Sequence, residues 1–88
     1  MKLDFTKSFY KDLDNLLLAK VKEDIEEAII NVENSKKLSD IKSCKKLKGH
    51  KIYYRIKIGD FRIGFSFEDQ TVIFLRVLPR KEIYRSFP

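Results

Sequence analysis

Cysteine, histidine and long apolar runs are almost absent from this sequence. It has one cysteine, Cys44, and one histidine, His50. A single cysteine excludes an internal disulfide, and without further cysteines or histidines at ligand spacing no metal site is expected. No apolar stretch is long enough to span a bilayer, and the N-terminal residues lack the apolar run of a signal peptide. We therefore expect a cytoplasmic protein that uses no cofactor and no membrane.

Acidic residues are too few to balance the basic ones. The 88 residues include 19 Lys and Arg against 13 Asp and Glu, which gives a net charge of +6. Such a surface favours polyanions or acidic proteins as partners. A basic surface can also act only to keep a protein soluble, and net charge by itself does not distinguish binding from solubility. A chain of this length holds one modest core, so we expect a single domain over residues 1–88.

The first half of the chain shows one short strand followed by helical periodicity. Residues 1–5 alternate apolar and charged side chains, and Thr6 fits a helix N-cap. Apolar residues then recur at helical spacing as far as Val32, a pattern that fits either one long helix or two helices folded back on each other. Because one continuous helix would be about 42 Å long, too long for a small core to cover, we predict a helical hairpin with its bend at residues 15–20.

The second half changes to a period of two. Residues 52–58 and 61–67 alternate apolar and polar side chains around Gly59-Asp60, a good two-residue turn signal because glycine supplies the positive φ that such turns need. Residues 71–78 are nearly all apolar and suit an interior strand. Residues 34–49, rich in lysine and serine, are predicted to form a crossing loop. The expected fold is α+β, with the N-terminal strand and helical hairpin packed on one face of a small, mainly antiparallel twisted sheet.

The register of the hairpin predicts basic side chains on the sheet face that the helices leave uncovered. A two-residue turn sets Lys57 opposite Arg62 and Arg55 opposite Gly64. Like charges in this relation destabilise a sheet, and such a departure is expected where a ligand supplies the countercharge. The alternative is an ordinary solvated sheet face.

The following turn decides the direction of Arg76. A two-residue turn at residues 69–70 would point Arg76 towards the core, whereas a three-residue turn through residues 68–70 points it to the uncovered face. We predict the second, which gives that face four cations and no carboxylate. The apolar side chains of this strand that then face the core are Ile73, Leu75 and Val77.

Four motifs stand in a distinctive order: Lys46–Gly49, Tyr54–Lys57, Gly59–Arg62 and Arg80–Arg85. Together with the strand and helical hairpin before them, they resemble the RelE/ParE superfamily of type II toxin-antitoxin toxins, the RelE-like branch more than the ParE-like branch. The resemblance spans essentially the whole chain. It implies a toxin neutralised by a small cognate antitoxin and, for the RelE-like branch, a metal-independent endoribonuclease that cleaves messenger RNA, usually on the ribosome.

The resemblance also implies roles for individual residues in a reaction where a ribose 2′-hydroxyl attacks the adjacent phosphodiester. Arg62 and Arg80 are expected to clamp phosphate, because a guanidinium fork matches its oxygens and fixed cations stabilise the developing charge. Lys57 is a candidate proton acceptor or donor. Tyr84 is expected to orient a base or assist the leaving group. Many relatives carry a histidine where this chain has Pro79.

Further contacts to RNA are expected from basic residues around these four. Arg76 enters this set through the register argument and not through the resemblance. The predicted RNA-binding residues are Arg55, Arg76, Lys81, Arg85, Lys46 and Lys48.

Two other functions stay open at this point. A ParE-like protein would inhibit DNA gyrase without chemistry, and a degenerate relative would survive only as an antitoxin-binding protein. A plain RNA-binding module has no recognisable signature here. We expect the toxin alone to be a monomer and its complex with the antitoxin to be heteromeric.

Overall fold

Three helices and a five-stranded sheet make up the computed structural model, which describes residues 1–88. The sheet order is β1-β5-β4-β3-β2, with β1 parallel to β5 and all other neighbours antiparallel. This confirms the α+β prediction. The elements are β1 (Lys2–Phe5), α1 (Lys7–Asp14), α2 (Ala19–Asn34), β2 (Cys44–Lys46), β3 (Tyr53–Ile58), β4 (Phe61–Glu68), β5 (Thr71–Pro79) and α3 (Arg80–Ser86), with a 3₁₀ turn at Leu38–Asp40.

The predicted helical hairpin is present, with its bend between Asp14 and Ala19. Thr6 is the N-cap of α1, and its hydroxyl accepts a hydrogen bond from the Phe9 N–H at 3.1 Å. This bond satisfies one of the donors that a helix leaves unpaired in its first turn. None of the helices combines the length and the apolar character needed to cross a membrane.

The core lies between α1, α2 and one face of the sheet. Phe9 of α1 is fully buried and its ring lies 5.4 Å from that of Phe74 on β5. From α2, Ile25 and Val32 are buried against the same sheet face. Burial of each such side chain contributes about 1.5–3 kcal/mol, so the apolar stripe read from the sequence is what fixes the helices to the sheet.

The register of β3 and β4 is the predicted one. Lys57 pairs with Arg62, and Arg55 pairs with Gly64. Gly59 in the turn has φ of +54°, a value that glycine adopts without steric cost. The two like charges therefore do face each other across the strands.

The turn between β4 and β5 differs from the prediction. Glu68 pairs with Thr71, so the turn has two residues, Asp69 and Gln70, and both have positive φ (+51° and +59°). A bulge then makes Gly64 pair with Arg76 while Phe65 pairs with Phe74, which leaves one extra residue on β5. The bulge restores Arg76 to the predicted face despite the shorter turn.

The same bulge changes which apolar side chains of β5 face the core. Val77 is buried as predicted, but Ile73 and Leu75 are only partly buried. Their predicted places in the core are taken by Val72 and Phe74, which are both fully buried. The prediction was wrong here because alternation alone does not reveal a bulge.

Gln70→Gly is expected to stabilise the fold by about 1 kcal/mol, because a side chain in the left-handed region is strained and glycine is not. The new Asp-Gly pair is also a favoured two-residue turn sequence. Chemical denaturation of the two proteins measures the gain. Gln70→Ala keeps the Cβ and should give no increase, so an equal effect of both changes would contradict the strain account.

The crossing-loop prediction for residues 34–49 was wrong at Cys44–Lys46, which form edge strand β2. Three residues are too few to show a period of two, so alternation could not reveal this strand. Cys44 pairs with Ile56 and lies against the core. Burial raises the pKa of its thiol to about 11, with a smaller opposing effect of Arg55, so this cysteine is poorly ionised and poorly nucleophilic at neutral pH.

Candidate functional site

One face of the sheet, opposite the core, carries the predicted basic residues, and we call it the polar face. Cross-strand pairing places Arg55, Gly64 and Arg76 in one row and Lys57 and Arg62 in the next. Side chains of paired residues point to the same side of a sheet. The register argument from the sequence therefore located this face correctly.

Three cations gather around the β3–β4 turn at one end of this face. Lys57 and Arg62 flank the turn as a cross-strand pair. The Arg62 Nη1 donates to the carbonyl oxygens of Gly59 at 2.7 Å and Phe61 at 2.8 Å. The Arg80 backbone N–H donates to the Asp60 carbonyl oxygen at 2.8 Å, which ties the start of α3 to the same turn. We call Lys57, Arg62 and Arg80 the basic end of the sheet.

No carboxylate pairs with the basic end. The chain has two salt bridges, Lys20 with Asp24 on α2 and Arg76 with Asp12. The acceptors of Arg62 within the chain are neutral carbonyl groups. Asp60 in the turn and Glu82 on α3 lie near these cations in the sequence, but neither forms a salt bridge with them. The basic end therefore has no ion-paired carboxylate, which favours an anionic ligand.

Arg62 is more enclosed than a residue on an open face. It is only 6% exposed, because its guanidinium folds back onto the turn. Its Nε and Nη2 have no acceptor within the chain, yet no side-chain nitrogen or oxygen is both buried and unpaired. Those two nitrogens therefore still reach solvent and can donate to a ligand oxygen.

Arg76 is paired, contrary to the prediction of four cations without a carboxylate. Its Nε donates to Asp12 Oδ2 at 2.8 Å and its Nη2 donates to Asp12 Oδ1 at 3.0 Å. The hydrogen bond to Asp12 raises the pKa of Arg76 above its usual value. The sequence did not indicate this pair, because Asp12 and Arg76 are 64 positions apart.

The polar face is also less open than predicted. Helix α3, which the sequence analysis did not predict as a helix, packs on β4 and β5 with Ile83 buried. Phe87, just after α3, is 5% exposed and stands directly over Gly64. The C-terminal segment thus covers part of the face, and what stays open lies between α3 and the side chains of β3.

The remaining predicted site residues lie on α3, on β3 and in the loop before β3. Tyr84, Lys81 and Arg85 are exposed on α3, and Arg55 is partly buried on β3, where its Nη1 donates to the Ser43 carbonyl oxygen at 3.1 Å. Lys48 is exposed in the loop before β3.

Lys45, and not the predicted Lys46, points to the polar face. Lys46 pairs with Tyr54, whose ring stacks on Phe65 in the core, so Lys46 points away from the polar face. Lys45 pairs with Arg55 and points to the polar face. The sequence analysis missed Lys45 because only the β2 register distinguishes these neighbours.

The ionisable groups near the site other than lysine and arginine include Asp60 in the β3–β4 turn and Glu82 on α3. His50 lies 5.5 Å from the Tyr53 ring, edge to face, and Pro79 pairs with Phe61 at the basic end. No group of three or more His, Cys, Asp or Glu side chains is placed to hold a metal ion.

Comparison with known proteins agrees with this arrangement. Residues 3–84 match the family model described as the ParE toxin of the type II toxin-antitoxin system, parDE. Toxin RelE3 of Methanocaldococcus jannaschii is 44% identical over 89 positions that cover all of both chains. The chain belongs to the RelE/ParE superfamily of type II toxins. The identity to RelE3 supports the RelE-like branch for this toxin.

Solved structures of RelE proteins share the fold of this toxin. The crystal structure of a RelB-RelE antitoxin-toxin complex from Methanococcus jannaschii matches with a TM-score of 0.80 and 41% identity, covering 97% of this chain and 99% of that one. The intact E. coli RelBE complex matches with a TM-score of 0.68 and 24% identity, covering 86% and 92%. The E. coli comparison shows the fold alone.

Proposed function

We propose that this RelE-like toxin is an endoribonuclease that cleaves messenger RNA at the basic end of its sheet, on the ribosome and hence in the cytoplasm. The observation that carries the proposal is the gathering of Lys57, Arg62 and Arg80 around one turn without a salt bridge to any carboxylate. A scissile phosphate supplies the missing negative charge. The family membership and the 44% identity to RelE3 support the same function.

The proposed reaction is an attack of the ribose 2′-hydroxyl on the adjacent phosphorus. An O2′–P bond forms while the P–O5′ bond breaks, leaving a 2′,3′-cyclic phosphate and a 5′-hydroxyl. Charge builds on the phosphoryl oxygens, and the guanidinium groups of Arg62 and Arg80 stabilise it. One proton leaves the 2′-hydroxyl and one reaches the 5′-oxygen, and these transfers are assigned to Lys57 and Tyr84.

Flanking RNA is proposed to lie along the opening of the polar face. Arg55 and Lys45 form a cross-strand pair on this face, and Lys48 lies in the loop before β3. Lys81 and Arg85 lie two positions from the buried Ile83 and so project from the outer side of α3, where they are proposed to contact RNA beyond the opening. Contacts to backbone phosphates displace counterions, so binding should weaken as salt rises. Arg76 contributes less than the unpaired cations, because Asp12 already neutralises it.

We further propose that a small acidic antitoxin binds the monomeric toxin in a heteromeric complex. The relative from Methanococcus jannaschii was solved as a RelB-RelE complex. The surface of this chain offers both charge and apolar area to such a partner. Leu17 and Leu18 at the bend of the helical hairpin are 94% and 64% exposed, beside an apolar groove of about 400 Å³.

Sequencing of RNA 5′ ends after brief induction of the toxin in cells tests the proposal. We expect discrete new ends within translated messages. Co-expression of the small protein from the adjacent reading frame should remove these ends, because the antitoxin covers the toxin.

Intact messages in the induced cells would overturn the endoribonuclease proposal. Intact messages together with stalled DNA gyrase would instead indicate ParE-like activity. An uninduced culture carrying the same plasmid controls for breaks that arise during RNA isolation.

A further inference from the structure

Helix α3 carries Arg80 and Tyr84 but cannot hold its own position. It is seven residues long, and its N-cap residue Pro79 makes no capping hydrogen bond through its side chain. A helix of this length is not stable in water without tertiary contacts. The Arg80 N–H bond to the Asp60 carbonyl oxygen holds the first residue of α3 at the turn, so the direction of the rest of the helix over the sheet depends on the side chains that it buries.

Two apolar side chains attach this segment to the polar face. Ile83 is 1% exposed and Phe87 is 5% exposed, four positions later. The Phe87 N–H donates to the Ile83 carbonyl oxygen at 2.8 Å. The Phe87 ring also meets Tyr53 of β3 edge to face, with 5.7 Å between centroids. Phe87 thus ties the end of α3 to the strands that carry Arg55 and Lys57.

Gly64 provides the space that Phe87 occupies. A Cβ at Gly64 would lie 2.7 Å from three carbons of the Phe87 ring. Gly64 does not have a positive φ, so its backbone conformation does not require glycine. Glycine inside a strand lowers stability, and close approach of another group is one reason for its presence. This position lies two residues after Arg62 on the same strand.

We propose that Phe87 is a positioning residue of the RNA-cleaving site. Its ring, seated on Gly64 and against Tyr53, fixes α3 so that Arg80 and Tyr84 act on the phosphate held at the basic end. Arg80 and Tyr84 are four residues apart and so share one side of the helix. The proposal rests on the endoribonuclease function above, and Phe87 itself contacts no RNA.

Loss of the Phe87 ring should affect the cleavage step more than RNA binding. Without the ring, α3 moves relative to Lys57 and Arg62 on the strands, and a displacement of about 1 Å can slow a reaction by about 100-fold. Arg55, Lys57 and Lys45 lie on β2 and β3 and do not depend on α3, so most phosphate contacts remain. A residue needed only for folding would not separate the two quantities in this way.

The experiment compares Phe87→Ala, Phe87→Leu and Gly64→Ala with the wild-type chain. Single-turnover cleavage of a messenger RNA on ribosomes gives the rate constant, and an RNA with 2′-deoxyribose at the cleavage site gives the Kd. Phe87→Ala should lower the rate by about 10–100-fold with Kd within about 3-fold. Phe87→Leu keeps apolar bulk and should retain most of the rate.

Gly64→Ala tests the same Phe87–Gly64 contact by changing Gly64, because the added methyl group displaces the Phe87 ring. It should slow cleavage like Phe87→Ala, and the two changes together should be no slower than the slower single variant, since both remove one contact. A wild-type rate in Phe87→Ala, a parallel loss of rate and affinity, or multiplied effects in the double variant would each overturn the proposal.

Hydrogen exchange separates failure of this inference from failure of the proposed function. If the wild-type chain does not cleave RNA, the endoribonuclease proposal and the role of Phe87 in cleavage both fail. If it cleaves and Phe87→Ala cleaves equally well, only the role of Phe87 fails. In either case the amides of residues 83–87 should exchange faster in Phe87→Ala than in the wild-type chain. Unchanged exchange would overturn the claim that packing of Phe87 on Gly64 and Tyr53 fixes α3.

Discussion

Arg80→Ala is expected to slow RNA cleavage by about 100- to 1,000-fold, the usual effect of removing one group that stabilises transition-state charge. The Arg80 side chain is exposed, and the contact that anchors α3 here is the backbone N–H to the Asp60 carbonyl oxygen, which alanine retains. The thermal unfolding midpoint should therefore change little. Single-turnover cleavage and a melting curve of the same preparations measure both quantities.

Two further variants make the Arg80 result specific. Arg80→Lys keeps the charge but loses the planar fork, so it should recover only part of the rate. Lys22→Ala removes one exposed cation from α2, away from the polar face, and should leave cleavage within about 2-fold of wild type because its charge is screened over that distance. An Arg80→Ala protein as active as Lys22→Ala would place the scissile phosphate elsewhere.

Asp12→Ala is expected to lower the free energy of unfolding by about 2–4 kcal/mol. The Asp12 carboxylate accepts hydrogen bonds from Arg76 Nε and Nη2 and, at 3.0 Å, from the Val77 N–H. That N–H lies on the part of β5 beyond its pairing with β1, so α1 covers the strand edge there. The upper limit of 5 kcal/mol for a buried pair is not reached because Arg76 is about 30% exposed.

Chemical denaturation measures the Asp12 effect, and Asp14→Ala is its matched control. Asp14 lies on the same helix but is exposed and forms no salt bridge, so its replacement should change stability by less than about 0.5 kcal/mol. For a domain of this size the loss at Asp12 corresponds to a fall of roughly 8–32 °C in Tm. Equal stabilities of the two variants would show that the Asp12–Arg76 pair does not hold α1 on the sheet.

Strongly periodic segments were predictable from the sequence, and irregular ones were not. The helical hairpin and the β3–β4 register follow from apolar spacing and from the Gly59-Asp60 turn. The bulge on β5 and the three-residue strand β2 depend on tertiary packing, and neither leaves a periodic signal. Helix α3 was missed because only Ile83 within it is buried, so it has no apolar stripe.

The sequence predicted which basic residues share the polar face better than it predicted the contacts that surround them. Alternation placed Lys57, Arg62 and Arg55 on one face, and that placement is confirmed. The pairing of Arg76 with Asp12 and the seating of Phe87 on Gly64 join residues distant in the sequence. Such contacts cannot be read from spacing in a single sequence, and they reduce the open part of the face.

The chemical nature of the RNA ends tests the central claim most directly. Purified toxin and a messenger RNA on ribosomes should give a 2′,3′-cyclic phosphate on one fragment and a 5′-hydroxyl on the other. An RNA with 2′-deoxyribose at the cleaved nucleotide should stay intact, because the attacking hydroxyl is missing. Cleavage of the deoxy-substituted RNA, or no cleavage of the unmodified one, would contradict the assignment of RNA chemistry to the basic end.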